Sequence, residues 1–396
     1  MTVTADTLGP PRTSVGVLGW LKKNLFSTWY NALLTIFMLW LIYSVVSQLT
    51  IWAFTTARWE VIAANLRLFM IGPYPPDQAL RVWIVVLVVS LLFGISGGLW
   101  SGTVRTFTIS LAAGYATLAV LPFGGDGRIW LLANLVVVVA AYFLARGRKS
   151  LQRWLIPAWL VGFFLAMIVL QGFVKNEWLP EVSTSKWGGL LLTFILSVVS
   201  IVVSFPLGVL LALGRRSKLP VVKIFCILYI ELVRGVPLVT ILYMTQIMLP
   251  LFLPGELRID NVMRAIAGMT MFTAAYMAEN VRGGLQAIQT GQIEAAQAVG
   301  LNNALVTLFI VLPQALRMVI PAIVGLFIAL FKDTTLATIV ALMELLGIGR
   351  SVLAQPEYLG LQTEVYIFVA AIFFVFSYAM SFASYRLEAA LGVGKR

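Results

Sequence analysis

The sequence has no histidine, and its one cysteine is Cys226. The missing histidine excludes imidazole chemistry: His-ligated haem, most zinc sites, His proton relays and Ser-His-Asp catalysis. One cysteine cannot form an intrachain disulfide, and Cys-based metal sites and iron–sulfur clusters need several ligands. No metal is therefore expected. Charge is scarce too. Charged residues make up 11% of the 396, against about 25% in soluble domains. Any chemistry would rest on carboxylates, Lys or hydroxyls, and no carboxylate pair stands out on one interior face. A water-soluble enzyme and a nucleic-acid binder are excluded as main readings. The formal charge of +12 then reads as Lys and Arg that hold loops on one side of a membrane.

What is abundant is apolar sequence. Hydrophobic residues make up 60% of the chain and the mean hydropathy is +0.95. A spanning helix needs about 20 apolar residues. Runs near 29–51, 82–100, 105–122, 129–145 and 154–173, then 187–213, 222–249, 262–281, 312–331 and 363–385, predict an all-α integral membrane protein with about ten transmembrane helices. The apolar run 334–346 is too short to span. It reads as a half-helix or re-entrant piece, tolerated only when buried in protein. The polar start, with Gly9, Pro10 and Pro11, is not expected to be a signal peptide.

Charges orient these spans. Lys22/Lys23, Arg146/Arg148/Lys149/Arg153 and Arg215/Arg216/Lys218/Lys223 are purely basic clusters, and the span order puts them on one side. The opposite loops mix signs: Arg58 with Glu60, Lys175 with Glu177 and Glu181, Glu256 with Arg258 and Asp260. Basic loops stay inside, so both termini are expected in the cytoplasm, with Arg386, Lys395 and Arg396 on the same face. The domain reading is a tail at 1–28, a first group of about five helices at 29–186, a second group at 187–390 and a tail at 391–396.

One cytoplasmic stretch, at 286–313, is more patterned than a plain loop. Gly291 punctuates before Gln292, and 292–299 reads as a short helix whose Ala295, Ala296 and Ala298 are good helix formers. Gly300 is placed to take the left-handed conformation that stops a helix, and a second helix comes after it. The expectation is a helix–glycine–helix unit along the membrane surface with small side chains turned outward.

Within it, Glu294-Ala295-Ala296, three residues, Gly300, nine residues, Ile310, one residue and Leu312-Pro313 resemble the EAA motif of ABC-importer permeases. The stretch Tyr229-Ile-Glu231-Leu-Val-Arg234-Gly235-Val-Pro237-Leu238 is similar to one found in polar amino-acid permeases. Ala275-Tyr276-Met-Ala278-Glu279-Asn-Val-Arg282-Gly283-Gly284, Leu312-Pro313-Gln314-Ala315-Leu316-Arg317 and Phe331-Lys332-Asp333-Thr334-Thr335-Leu336 fall in that family's order. Together they cover residues 187–390. The extra helices before them resemble the larger permease subunit of general L-amino-acid importers. Residues 1–186 carry no motif of their own.

The resemblance implies a type I ABC-importer permease core of five helices and a function as the membrane subunit of an ATP-driven, binding-protein-dependent amino-acid importer. It implies that the EAA loop couples to a separate ATPase, with Glu294 as polar anchor, Ala295 and Ala296 as the close-contact face, Gly300 allowing the turn and Leu312-Pro313 closing the motif. No Gly-x-x-x-x-Gly-Lys-Ser/Thr loop occurs here, so ATP and Mg would be held by the partner. Other implied partners are a periplasmic amino-acid-binding protein and a second permease. The long extension favours a heterodimer, and membrane lipid surrounds the whole.

Remaining charges admit two readings. Glu231/Arg234 and Glu279/Arg282 are i, i+3 pairs that can face each other on helices. They read as structural ion pairs or as a gate contact. Pro237, after Gly235-Val236, should break or restart its helix, which makes the segment a hinge candidate. Thr334 and Thr335, beside Lys332 and Asp333, are expected to cap the short apolar run at their C-terminal side. The other reading has them touch substrate, with Tyr276 and Glu279 lining the path. Glu344 is a candidate external gate. The first helices read as a peripheral wrap, or as a docking platform through outer loops 52–81 and 175–186. The rival class is an ion-coupled secondary transporter, expected to show paired repeats or in-membrane carboxylates. No clear repeat is present.

Overall fold

The computed structural model describes residues 16–120, 127–174, 176–252, 254 and 259–392. Gly9, Pro10, Pro11, Lys175, Glu256, Arg258, Lys395 and Arg396 lie outside them. Regular structure among the described residues is helical, with two isolated bridges, Phe173 to Pro180 and Gly189 to Glu344. The chain divides into two compact units, Met1–Trp59 and Glu60–Arg396.

The first unit holds α1 (Val17–Asn24) and α2 (Trp29–Ile51), which runs on through a π turn at Trp52–Thr56. The Thr28 side chain accepts from the Asn31 N–H and starts α2, while the Thr35 hydroxyl donates back to the Leu25 carbonyl at 2.8 Å. No residue of α2 is buried within the chain. A helix that is apolar on every side and buries none of its residues is suited to hydrocarbon.

The second unit runs α3 (Glu60–Ile71), α4 (Ala79–Leu99), α5 (Thr103–Val120), α6 (Gly127–Ala145), α7 (Gln152–Gln171), α8 (Gly189–Arg215), α9 (Pro220–Arg234), α10 (Leu238–Ile247), α11 (Leu249–Phe252), α12 (Asn261–Gln286) and α13 (Thr290–Ala298). Then α14 (Asn303–Leu305) passes through a π turn into α15 (Leu312–Asp333). A 3₁₀ segment at Thr334–Val340, α16 (Leu345–Leu353) and α17 (Gln362–Leu391) complete it.

Helices stand at all ten expected positions. Seven stretches are long and apolar enough to cross a membrane, or eight if the bent pair α9 and α10 is one span. The hydroxyl-rich α5 and α12, which carries Arg264, Glu279 and Arg282, are too polar to count on the same terms. The apolar run expected as one span at 222–249 is two helices bent by 109°, broken at Gly235-Val236-Pro237 as the proline predicts.

Close approach needs small residues. A Cβ at Gly94 would lie 2.6 Å from the Val138 carbonyl, and one at Gly98 would lie 2.5 Å from that of Tyr142, so α4 and α6 meet nearly backbone to backbone. Two apolar cores result. One gathers Tyr74, Trp187, Leu192, Leu196, Met269 and Leu330. The other gathers Ile230, Met277, Val281, Ala296, Val306 and Ala315.

The segment 52–81, expected as an outer loop, contains α3. Val61 and Phe69 are fully buried, the Phe69 ring lies 5.1 Å from that of Phe368 on α17, and the Tyr74 hydroxyl donates to the Leu170 carbonyl at 2.8 Å. At 12 residues, α3 is far short of the length that marks a spanning helix. It packs on α8, α16 and α17, so packing does not divide at residue 186.

Candidate coupling loop and charge cluster

The patterned loop forms α13, which ends in a Schellman motif. The Gly300 N–H donates to the Gln297 carbonyl at 2.9 Å and the Leu301 N–H to the Ala296 carbonyl at 3.2 Å. Gly300 has φ +88, and a Cβ there would meet nothing within 4 Å. Backbone conformation, not space, requires glycine. The Asn302 side chain accepts from the Leu305 N–H and starts the next turn. Gln314 donates to the Gln292 side chain at 3.0 Å and ties the loop to α15. Pro313 stands directly after the π turn, at the start of α15, and Leu312 beside it is half-buried.

Exposure sorts the motif residues. Glu294, Ala295 and Gly300 are exposed, and Val299 is 77% exposed. Ala296 is not on that outer face: it is 7% exposed and packs into the chain's own core with Val306 and Ala315. This corrects the expectation that Ala295 and Ala296 share one outward face. Neighbours in a helix point about 100° apart, so only Ala295 stays outside. A shallow recess beside it is lined by Gln289, Gly291, Gln292, Ala295, Ala296 and Ile310.

A second feature joins three helices by charge. Arg282 grips Glu279 through two nitrogens, Nε at 2.9 Å from Oε2 and Nη2 on Oε1, the i, i+3 pair expected within α12. Glu279 also receives Arg215 and Arg234, each at 3.6 Å. Glu231 does not pair with Arg234 as its spacing allowed. It binds Arg215 at 2.9 Å, while Arg234 turns toward Glu279 and lies 5.4 Å from the centre of the Tyr276 ring. Tertiary contacts override the local pairing because α12 offers Arg234 both a carboxylate and an aromatic face. Three arginines face two carboxylates, so the cluster keeps a net positive charge. The Nε of Arg234 is buried without a partner. Sequence reasoning missed Arg215, which read as a loop anchor. Its one signal was its place at the end of a predicted span.

The third group settles two local expectations. The Thr334 and Thr335 hydroxyls donate backward, to the Phe331 and Lys332 carbonyls at 2.7 and 2.8 Å. They close the end of α15 rather than capping the 3₁₀ segment, and Asp333, at the junction, makes no side-chain cap. Thr334 is fully buried, while Lys332 is exposed. The capping residue is Glu344. It is fully buried, accepts from the N–H groups of Leu346 and Gly347 at 2.9 Å each, and takes the Thr338 hydroxyl on Oε1. The placement favours a structural role over an external gate. No group of three or more metal-ligating side chains exists among the described residues.

Comparison with known proteins gives the family. Residues 204–392 match the model of the family "Binding-protein-dependent transport system inner membrane component". The chain is 36% identical to the inner membrane amino-acid ABC transporter permease protein YhdY of Escherichia coli (strain K12), over 98% of this chain and 97% of that protein. It is 35% identical to the glutamate/glutamine/aspartate/asparagine transport system permease protein BztC of Rhodobacter capsulatus, over 98% and 97%. The solved structure of an amino acid ABC transporter with histidines aligns with 51% of this chain and 92% of that one, at 27% identity and a TM-score of 0.46. Identity that runs through the leading helices as well as the matched core places this chain among the amino-acid ABC transporter permeases.

Proposed function

We propose that the loop 286–313 is the element through which nucleotide-driven motion enters the membrane core. As a permease of its family the chain is a non-catalytic translocation subunit of a multi-span inner-membrane transporter, and it works with an ABC ATPase. Membership supports ATP-driven import over the ion-coupled alternative. The observation that carries the coupling role is the outward face of α13. Glu294, Ala295 and Gly300 stand exposed on a unit whose inner face, through Ala296, is built into the core. A push on the outer face therefore reaches α12 and α15 through packed side chains.

ATP and Mg would be bound by the partner, and closure of an ATPase dimer would move α13. The charge cluster of Arg215, Glu231, Arg234, Glu279 and Arg282 links α8, α9 and α12, and would rearrange as the cavity alternates between faces. The break at Gly235-Val236-Pro237 is the hinge for α9 against α10. Tyr276, under Arg234, borders the path, while Lys332, Asp333, Thr334 and Thr335 end the span opposite the coupling loop. A ligand shifts such an equilibrium only through different contacts in the two states. The amino-acid-binding protein would deliver substrate on the outer side, both termini would be cytoplasmic, and the pairing would be with a second, different permease. The division into an extension at 29–186 and a core at 187–390 belongs to the same reading.

Gly300→Leu tests the coupling role. A non-glycine residue at φ +88 costs about 1–2 kcal/mol, enough to unseat the Schellman turn without unfolding the helices around it. In proteoliposomes holding the complete transporter, the expected result is ATP hydrolysis that persists while amino-acid uptake falls at least tenfold. Uptake at the wild-type rate would sink the proposal. A bulky residue at Ala296 should act differently, lowering the yield of folded protein, because that side chain is inside.

A further inference from the structure

The turn between α4 and α5 carries a second recess. It is lined by Trp100, Ser101, Gly102, Thr103, Val104 and, from the end of α17, Arg386. Arg386 lines it directly, and other cations stand on the helices that meet at this turn. Gln152 at the start of α7 donates to the Leu99 carbonyl at 3.3 Å, and Arg153 is the next residue of that helix. Gly98, one residue before Leu99, packs on the backbone of Tyr142 and Arg146 at the end of α6. Arg105 stands in the first turn of α5, next to the recess.

Retention of positive loops on one side explains how many cations lie here. It does not explain how they are held. Arg105 donates through Nε to the Tyr142 hydroxyl at 2.7 Å, and its guanidinium lies 5.6 Å from the centre of that ring. Arg153 lies 5.7 Å from the Trp154 ring and Arg386 lies 5.0 Å from the Phe382 ring. Among the described residues none of the three has a carboxylate within ion-pair distance. The one nearby acid, Glu388, accepts from Ser384 at 3.1 Å. The charge cluster beside Glu279 is the opposite case, with its arginines matched to acids.

Arginines parked on aromatic faces keep their guanidinium edges free for an anion. The surroundings say which kind. Trp154 is 60% exposed, Phe143 61%, Leu144 63% and Tyr385 71%, so apolar side chains flank the cations at the same level. Together they fit a molecule with a negative head and apolar tails. We propose that this recess binds the phosphate headgroup of an anionic phospholipid, with Arg386, Arg153 and Arg105 on the phosphate and the exposed aromatic side chains along the acyl chains. Basic pockets between transmembrane helices on the cytoplasmic side bind such headgroups.

The full-length chain, purified in detergent with its partner subunits and stripped of lipid, would be titrated with cardiolipin and separately with phosphatidylethanolamine, and bound lipid counted by native mass spectrometry. The expected result is retention of cardiolipin over phosphatidylethanolamine. Arg386→Gln should weaken it about fivefold, and Arg386→Gln with Arg153→Gln about 25-fold, since each cation near an anionic headgroup contributes on that order. Arg386→Lys, which keeps the charge, should retain most binding and serves as the folding control. Equal retention of the two lipids, or unchanged cardiolipin binding in the double variant, would overturn the proposal. Displacement of cardiolipin by millimolar inorganic phosphate would assign the site to free phosphate. Loss of the ATPase subunit from the double variant, with lipid binding intact, would assign the recess to a protein contact.

Discussion

Glu279 and Glu344 are both carboxylates that gather several donors in the same helical body, and they do so in opposite ways. Glu279 draws its donors from three helices, all of them arginines, and its side chain keeps 23% of its exposure. Glu344 draws from a threonine six residues before it and from two backbone N–H groups just after it, and is fully buried. The first arrangement joins separate elements through long, partly hydrated side chains that can exchange partners at modest cost. The second is local, short and dry, and is costly to leave unmade. The contrast separates a part of the permease suited to motion from a part suited to holding still.

The largest effect is expected at the rigid member. Glu344→Gln keeps the shape but turns an N–H₂ toward donors that need an acceptor. The amide oxygen can still accept from Thr338 and Gly347, so one buried N–H, that of Leu346, is left unmatched at a cost of about 1–3 kcal/mol. Since α16 packs on α3, α8 and α17, the loss should appear as a lower thermal midpoint and a poorer yield of the purified transporter. Substrate affinity should not change in the fraction that folds. Wild-type stability with transport abolished would reverse the assignment and make Glu344 an external gate. Thr338→Val, which removes one donor of the three, should lower the midpoint by less than half as much.

Most of the fold was legible because apolar runs and basic loops are composition, and composition needs no partner to be read. The turn at Gly300 was legible for a related reason: a left-handed residue after a short helix has few solutions other than glycine. Partners across elements were not. Glu231 and Arg234 have helix spacing for an ion pair, yet the pair goes unmade, because Arg215 and Glu279 arrive from helices whose angles no periodicity reports. The inward turn of Ala296 was hidden because alanine suits a core and a contact face alike. Helix α3 was missed through its length, and the 109° break was visible only as a proline. Glu344 went unrecognised as a cap because it stands in an apolar run that offered several candidate starts.

The movable member should respond by function before stability. Glu279→Gln removes the charge that three arginines share and leaves Glu231 alone to offset them. Like-charge repulsion among partly exposed groups costs about 1 kcal/mol, screened by salt. The fold should survive with a small drop in midpoint. Uptake and substrate-stimulated ATP hydrolysis should change by several-fold, because the balance between inward and outward states depends on contacts that differ between them. Raising ionic strength should narrow the gap between variant and wild type. A variant that transports normally at low salt would show that the cluster is static and end its comparison with Glu344 as a movable part.

The smallest effect sharpens the division inside the cluster itself. Glu231 keeps 53% of its side-chain exposure, and among the described residues its one ion pair is with Arg215 at 2.9 Å. An exposed pair of that kind contributes about 0.5 kcal/mol. Glu231→Gln should therefore leave the thermal midpoint within error and reduce uptake less than twofold, well short of Glu279→Gln, while Arg215 keeps its 3.6 Å approach to Glu279. The two substitutions together should equal Glu279→Gln alone within that small margin, since Arg215 would by then have lost its more buried partner. A double variant much worse than their sum would mean that Glu231 takes over the arginines when Glu279 is gone. The cluster would then work by exchanging carboxylates, a property no arrangement built around Glu344 can have, because its donors are fixed to the backbone that folds around it.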